Sequence, residues 1–149
     1  MFLPLTPIRC LLWAAQEYGA KVGVVDRARR LTYNEVLDRC LRQADALRSS
    51  GIVAGDRVAT LSFNCHQLLE AYYGVPMARA ILLSLNVRLA PEEQIYILEH
   101  SGAKLVLFDP GLLPLAEAIH KALPGLQWVA LEPHPNLPAW VRPQTYDGW

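Results

Sequence analysis

The chain has 149 residues, 52% of them hydrophobic and 19% charged, and its 14 Lys+Arg are matched by 14 Asp+Glu. That apolar fraction excludes a disordered chain, and the length suits one domain or part of one, able to bury about two thirds of its unfolded surface. Charge balance argues against a nucleic-acid partner, which needs a cationic surface to displace counterions.

The spacing predicts a helix over Pro7–Tyr18, with Thr6 as N-cap and Gly19 as a left-handed stop. Ile8, Leu11, Leu12 and Ala15 share one face of it. Val22–Val25 and Arg30–Tyr33 read as the two strands of a hairpin turned at Asp26–Arg29. Thr32-Tyr33-Asn34-Glu35 is a capping box opening a second helix. Its apolar face is Val36, Leu37, Cys40, Leu41, Ala44 and Leu47; Asp38, Arg39, Arg42, Asp45 and Arg48 are expected in solvent, and Gly51 ends it.

From Arg57 onward strands and helices alternate. Strands are expected at 57–62, 81–85, 104–108 and 127–131, with their starts about 23 residues apart. The helices between them begin at an Asn64 cap (carrying Leu68, Leu69, Tyr72 and Tyr73), at Pro91 (ended by Gly102) and at Leu113. Short Val/Ile/Leu-rich strands separated by helices imply an α/β fold: a mostly parallel sheet flanked by helices, preceded by a helix and a β-hairpin. Residues 1–131 form this unit; 132–149 is a Pro-rich irregular tail whose Trp140, Tyr146 and Trp149 have no local partners to bury them.

Cys10, Cys40 and Cys65 are odd in number and dispersed, which fits neither a disulfide framework nor a zinc site and suits a reducing cytoplasm. The longest apolar stretch, Ala71–Leu85, is interrupted by Pro76 and Arg79 and is short of the roughly 20 residues that span a bilayer. The amino terminus lacks the basic n-region of a secretory signal.

Ligands of open parallel sheets bind beyond the carboxyl ends of the strands, where Asn64, Asn86 and Asp109 fall. Their simpler reading is a helix cap, a local turn and a β-turn, since neither a GxGxxG nor a GxxxxGK[ST] phosphate loop accompanies them. His66, His100, His120 and His134 are scattered, Gly55-Asp56-Arg57 reads as a solvated turn, and Tyr72-Tyr73 reads as packing against the sheet. No catalytic, cofactor-binding or metal residue is assigned on these patterns.

Several of these segments, in order, resemble a known family. Arg30-Leu31-Thr32-Tyr33-Asn34-Glu35, Gly55-Asp56-Arg57-Val58-Ala59, Leu69-Glu70-Ala71-Tyr72-Tyr73-Gly74-Val75-Pro76, Leu85-Asn86-Val87-Arg88-Leu89 and His100-Ser101-Gly102-Ala103-Lys104 are similar to the amino-terminal region of AMP-forming adenylating enzymes. Leu5-Thr6-Pro7 and Gly74–Ala78 are most like the acyl-CoA synthetase branch, of medium-chain fatty-acyl or aryl acid type. The resemblance implies a ligase that converts a carboxylic acid and ATP to an acyl-adenylate and then to acyl-CoA, with Mg assisting. It also implies that the phosphate loop, the ribose-binding acid and the catalytic Lys belong to polypeptide beyond these residues, so the chain alone is expected to be an inactive scaffold. Arg79 departs from the family, standing where a glycine is usual. The alternatives are a free-standing interaction module that binds a partner, or a second copy, through an uncovered sheet or the aromatic tail, and a flavodoxin-like nucleotide binder.

Overall fold

The computed structural model describes residues 6–141 and 146–149. Helix α1 (Pro7–Tyr18) precedes the hairpin β1 (Val22–Asp26) and β2 (Arg29–Thr32), and α2 (Tyr33–Ser49) follows. Then come β3 (Arg57–Leu61), α3 (His66–Met77), β4 (Ile81–Ser84), α4 (Pro91–Ser101), β5 (Ala103–Phe108), α5 (Leu113–Ala122) and β6 (Gln127–Ala130). Strands β3 to β6 form one sheet in the order β4-β3-β5-β6, every pair parallel, while β1 and β2 pair antiparallel apart from it. The α/β expectation holds, with element bounds within a residue or two of the pattern.

Local chemistry accounts for the ends. The Thr32 hydroxyl accepts from the Glu35 N–H while the Glu35 carboxylate accepts from the Thr32 N–H, completing the capping box. Gly102 ends α4 in the left-handed region at φ 63°, and Arg57 reaches across to donate to the Ser101 and Gly102 carbonyls. Arg57 is therefore a bridge from β3 to the end of α4, a correction to its reading as a solvated turn charge. Gly19 is right-handed, at φ −46°, so it is no left-handed stop; a Cβ there would meet the Asn34 amide at 2.5 Å. Arg79 lies at φ 64°, in the strained region that a glycine would occupy freely.

Two apolar cores sandwich the sheet. On one side Val58, Leu105, Leu107 and Val129 pack against Ala44 and Leu47 of α2 and Ala71 and Val75 of α3. On the other, Leu61, Val106, Phe108 and Trp128 pack against Leu98 of α4 and Ala116 and Ile119 of α5. Helix α3 turns differently from expectation: its small residues Ala71, Gly74 and Val75 are buried, whereas Leu69 and Tyr72 are exposed. The reason is proximity, since a Cβ on Gly74 would lie 2.0 Å from Gln43 Oε1 and 3.0 Å from the Cys40 carbonyl of α2. Two helices this close admit only small side chains between them. In α1, Leu11 and Ala15 are buried and Leu12 is exposed; in α2, Leu41 is exposed and Gln43 is buried.

The aromatic tail is docked, which corrects its reading as stranded. Trp140 packs on Phe108 and Trp128 and stacks at 4.2 Å on His120, and Val141 forms a parallel bridge to Trp128. Tyr146 is buried and Trp149 donates to Ser50 Oγ at 3.0 Å. Pro143 lies outside the described residues.

Candidate functional site

At the carboxyl edge of the sheet the Asn86 and Asp109 side chains are engaged locally. Asn86 Oδ1 accepts from the Arg88 N–H at 3.0 Å, and Asp109 Oδ1 accepts from the Gly111 N–H at 2.8 Å. Asn64 is exposed in the β3–α3 loop and does not cap α3; Cys65 does, its Sγ accepting from the Leu68 N–H at 3.4 Å. Of the three, Asp109 alone lines the cleft that opens here, a space of about 100 Å³ walled by Asp26, Arg27, Cys65, Gln67, Asp109, Leu131 and Glu132. Small-molecule sites commonly measure roughly 300–1,000 Å³. This cleft is smaller than that, and its wall carries three carboxylates, Asp26, Asp109 and Glu132, beside the Arg27 cation.

The sequence reading missed a second cluster, where the hairpin, α2, α3 and the tail meet. Glu70, 1% exposed, accepts from Arg39 Nε at 2.6 Å through one oxygen and from the Tyr146 hydroxyl at 2.6 Å through the other. Arg39 Nη2 also binds Asp147 at 2.7 Å, and Arg29 approaches Asp147 at 3.8 Å. His66, buried in the first turn of α3, donates its backbone N–H to Asp26 Oδ2 at 2.9 Å; its Nδ1 lies 2.9 Å from the same oxygen. Its Nε2 faces Arg29 Nη1 at 3.2 Å and Arg39 Nη2 at 3.5 Å. Arg39, placed in solvent by the sequence pattern, is thus a largely covered partner of Glu70, its side chain 10% exposed.

The electrostatics follow from the contacts. Two hydrogen bonds from His66, the ring first and the backbone second, hold the Asp26 carboxyl below its usual range. Burial opposes ionisation of Asp147, but the Arg39 contact outweighs it and lowers that carboxyl too. Burial also opposes the Arg39 charge, and Glu70 followed by Asp147 more than restores it. Tyr146 is pushed well up by burial and by the adjacent Glu70 charge. The buried Cys40 thiol is raised to about 12 for the same two reasons, which makes it unreactive. The arrangement clasps four elements together. Among the described residues no His/Cys/Asp/Glu group is placed to hold a metal ion.

A family model described as "AMP-binding enzyme" matches residues 11–141. The chain belongs to this AMP-binding enzyme family. It is 51% identical over 119 residues to a long-chain-fatty-acid–CoA ligase of Thermus thermophilus, covering 76% of this chain and 22% of that protein. It is 38% identical over 105 residues to 4-hydroxybutyrate–CoA ligase 2 of Metallosphaera sedula, covering 70% and 19%. In structure it is similar to the N-terminal domain of FACL13 from Mycobacterium tuberculosis, with a TM-score of 0.78, 28% identity and coverage of 85% of this chain and 34% of that one. The chain therefore spans about a fifth of the length of the curated relatives it matches. This α/β unit corresponds to the amino-terminal part of AMP-forming acyl-CoA synthetases.

Proposed function

We propose that the chain is the scaffold portion of a cytoplasmic, ATP-dependent acid–CoA ligase, in which a carboxylic acid and ATP give an acyl-adenylate and then acyl-CoA. Residues 1–131 are its α/β subdomain, and 132–149 lead toward the remainder. The reading rests on family membership across residues 11–141 and is supported by the carboxyl edge, where Asn86 and Asp109 spend their polar atoms on local N–H groups. ATP, Mg and coenzyme A then act on polypeptide beyond these residues, and the chain alone is inactive. For the acid, the reading is a medium-chain fatty-acyl or aryl substrate; relatives named for long-chain fatty acids and for 4-hydroxybutyrate bracket it in size.

The test is complementation. The isolated chain is incubated with ATP, Mg and a panel of acids, alone and with the Thermus ligase lacking its matching segment. Pyrophosphate release is expected only from the mixture, and release by the chain alone would overturn the scaffold reading. Sequencing the DNA beyond the Trp149 codon in all frames gives an independent check, with a Ser/Thr/Gly-rich loop containing Lys expected in one of them.

A second reading, a self-associating interaction module, is favoured by the outer edge of β4. Among the described residues that strand has a neighbour on one side only, and Ile81 is 53% exposed there. Sedimentation would show a concentration-dependent dimer abolished by Ile81→Lys; a monomer throughout removes this reading.

A further inference from the structure

The hydrogen-bond pattern around His66 fixes its protonation state. A carboxylate only accepts, so the hydrogen between His66 and Asp26 sits on Nδ1. The guanidiniums of Arg29 and Arg39 only donate, so Nε2, which faces both, presents its lone pair. The ring is neutral while this geometry lasts.

The charged groups around it come from every packed element: Asp26 from β1, Arg29 from β2, Arg39 from α2, Glu70 from α3 itself and Asp147 from the tail. A proton added at Nε2 would even the count of charges, but it would set a third donor against two donors at 3.2 and 3.5 Å. Asp26, the nearest carboxylate at 2.9 Å, engages the ring at Nδ1 and leaves that conflict of donors at Nε2 unrelieved, because neither guanidinium can accept the new hydrogen. Arg29 is free to turn away, its side chain 43% exposed. Arg39 Nη2, the other nitrogen facing the ring, is the same atom that holds Asp147 Oδ1 at 2.7 Å. Both cations that hold Asp147 are therefore the ones a protonated ring would displace.

We propose that His66 is the trigger of an acid-operated latch, in which protonation at Nε2 turns the two arginine donors away and releases the Tyr146–Trp149 segment from α2 and α3. The latch is independent of the ligase reading, since it rests on contacts within this chain. Its release exposes the Arg39, Glu70 and Ser50 side chains that the segment covers.

Amide hydrogen exchange on the 149-residue chain tests it. Protection factors at Asp147, Gly148 and Trp149 should fall by about tenfold or more across the pH window in which nitrogen NMR shows the His66 ring taking up its second proton. Asp26 and Asp147 are held low, so the stability they contribute is lost only at more acid pH, as it falls through their depressed values. His66→Asn keeps an amide donor toward Asp26 but does not titrate, and should leave protection flat across that window. Nitrogen NMR of the wild-type imidazole needs no variant: an Nδ1–H tautomer is expected at neutral pH, with a midpoint matching segment release. An Nε2–H tautomer, protection unchanged while the ring titrates (as when a charged His66 takes Asp147 as its partner), or the same acid loss in His66→Asn would each overturn the latch.

Discussion

On one face of the sheet, α4, α5 and Trp140 close over Phe108 and Trp128 with apolar and aromatic surface. On the other, α2 and α3 bury aliphatic side chains against Val58 and Leu105 but also enclose Glu70 between Arg39 and Tyr146. The first face is held by area, which is indifferent to pH and forgiving of small shape changes. The second is held partly by a buried ion pair, whose members stabilise only together. The same sheet thus has one side that tolerates change and one that responds to it.

The largest effects should come from the centre of each face. Trp128→Ala removes a fully buried indole and should cost about 3–5 kcal/mol. Glu70→Leu leaves Arg39 and Tyr146 without their acceptor and should cost a similar 3–5 kcal/mol or so. Urea titrations separate the mechanisms: adding Arg39→Met should recover much of the Glu70→Leu loss and none of the Trp128→Ala loss. Full additivity in both pairs would erase the distinction between the faces.

Gly74→Ala comes next. Its new methyl meets Gln43 and the α2 backbone, so about 1–3 kcal/mol should be lost on the α2–α3 side, visible as a lowered urea midpoint. Arg79→Gly should instead raise stability by about 1–2 kcal/mol, because it relieves a left-handed residue. An unchanged or lowered melting temperature would show that the Arg side chain compensates its backbone. The smallest effect concerns acid. The depressed carboxyls Asp26 and Asp147 contribute stability that is present above the ordinary carboxylate range and lost as pH falls through their folded values. Asp147 is partly exposed, so Asp147→Asn should cost under about 1 kcal/mol at neutral pH and flatten the acid limb of the pH–stability curve. Trp128→Ala should leave the shape of that limb intact.

The repeating part of this fold was plain in the sequence because its signals are local. Thr32 and Glu35 lie three residues apart, Pro91 and Gly102 bracket α4, and the runs at 57–61 and 103–108 announce buried strands. The clasp was not legible, since its pairs join Asp26 to His66, Arg39 to Glu70 and Glu70 to Tyr146, separations of 40, 31 and 76 residues. One signal was available. Glu70 stands beside Ala71 and one turn before Gly74, and a small-residue face marks a close helix contact that would trap a carboxylate. The pattern instead followed Leu69 and Tyr72, which are large but exposed. Cys65 displaced Asn64 as the α3 cap because its Sγ, rather than the Asn amide, lies near the Leu68 N–H.

The order β4-β3-β5-β6 also bears on how the chain is made. The first strand of the sheet to leave the ribosome, β3, ends in its interior, and Val58–Leu61 must wait for α3, β4, α4 and β5 to be translated before both flanks are paired. During that interval the nascent polypeptide carries a half-finished seam, with the β5-facing backbone donors and acceptors of Val58–Leu61 unpaired until Phe108 has emerged.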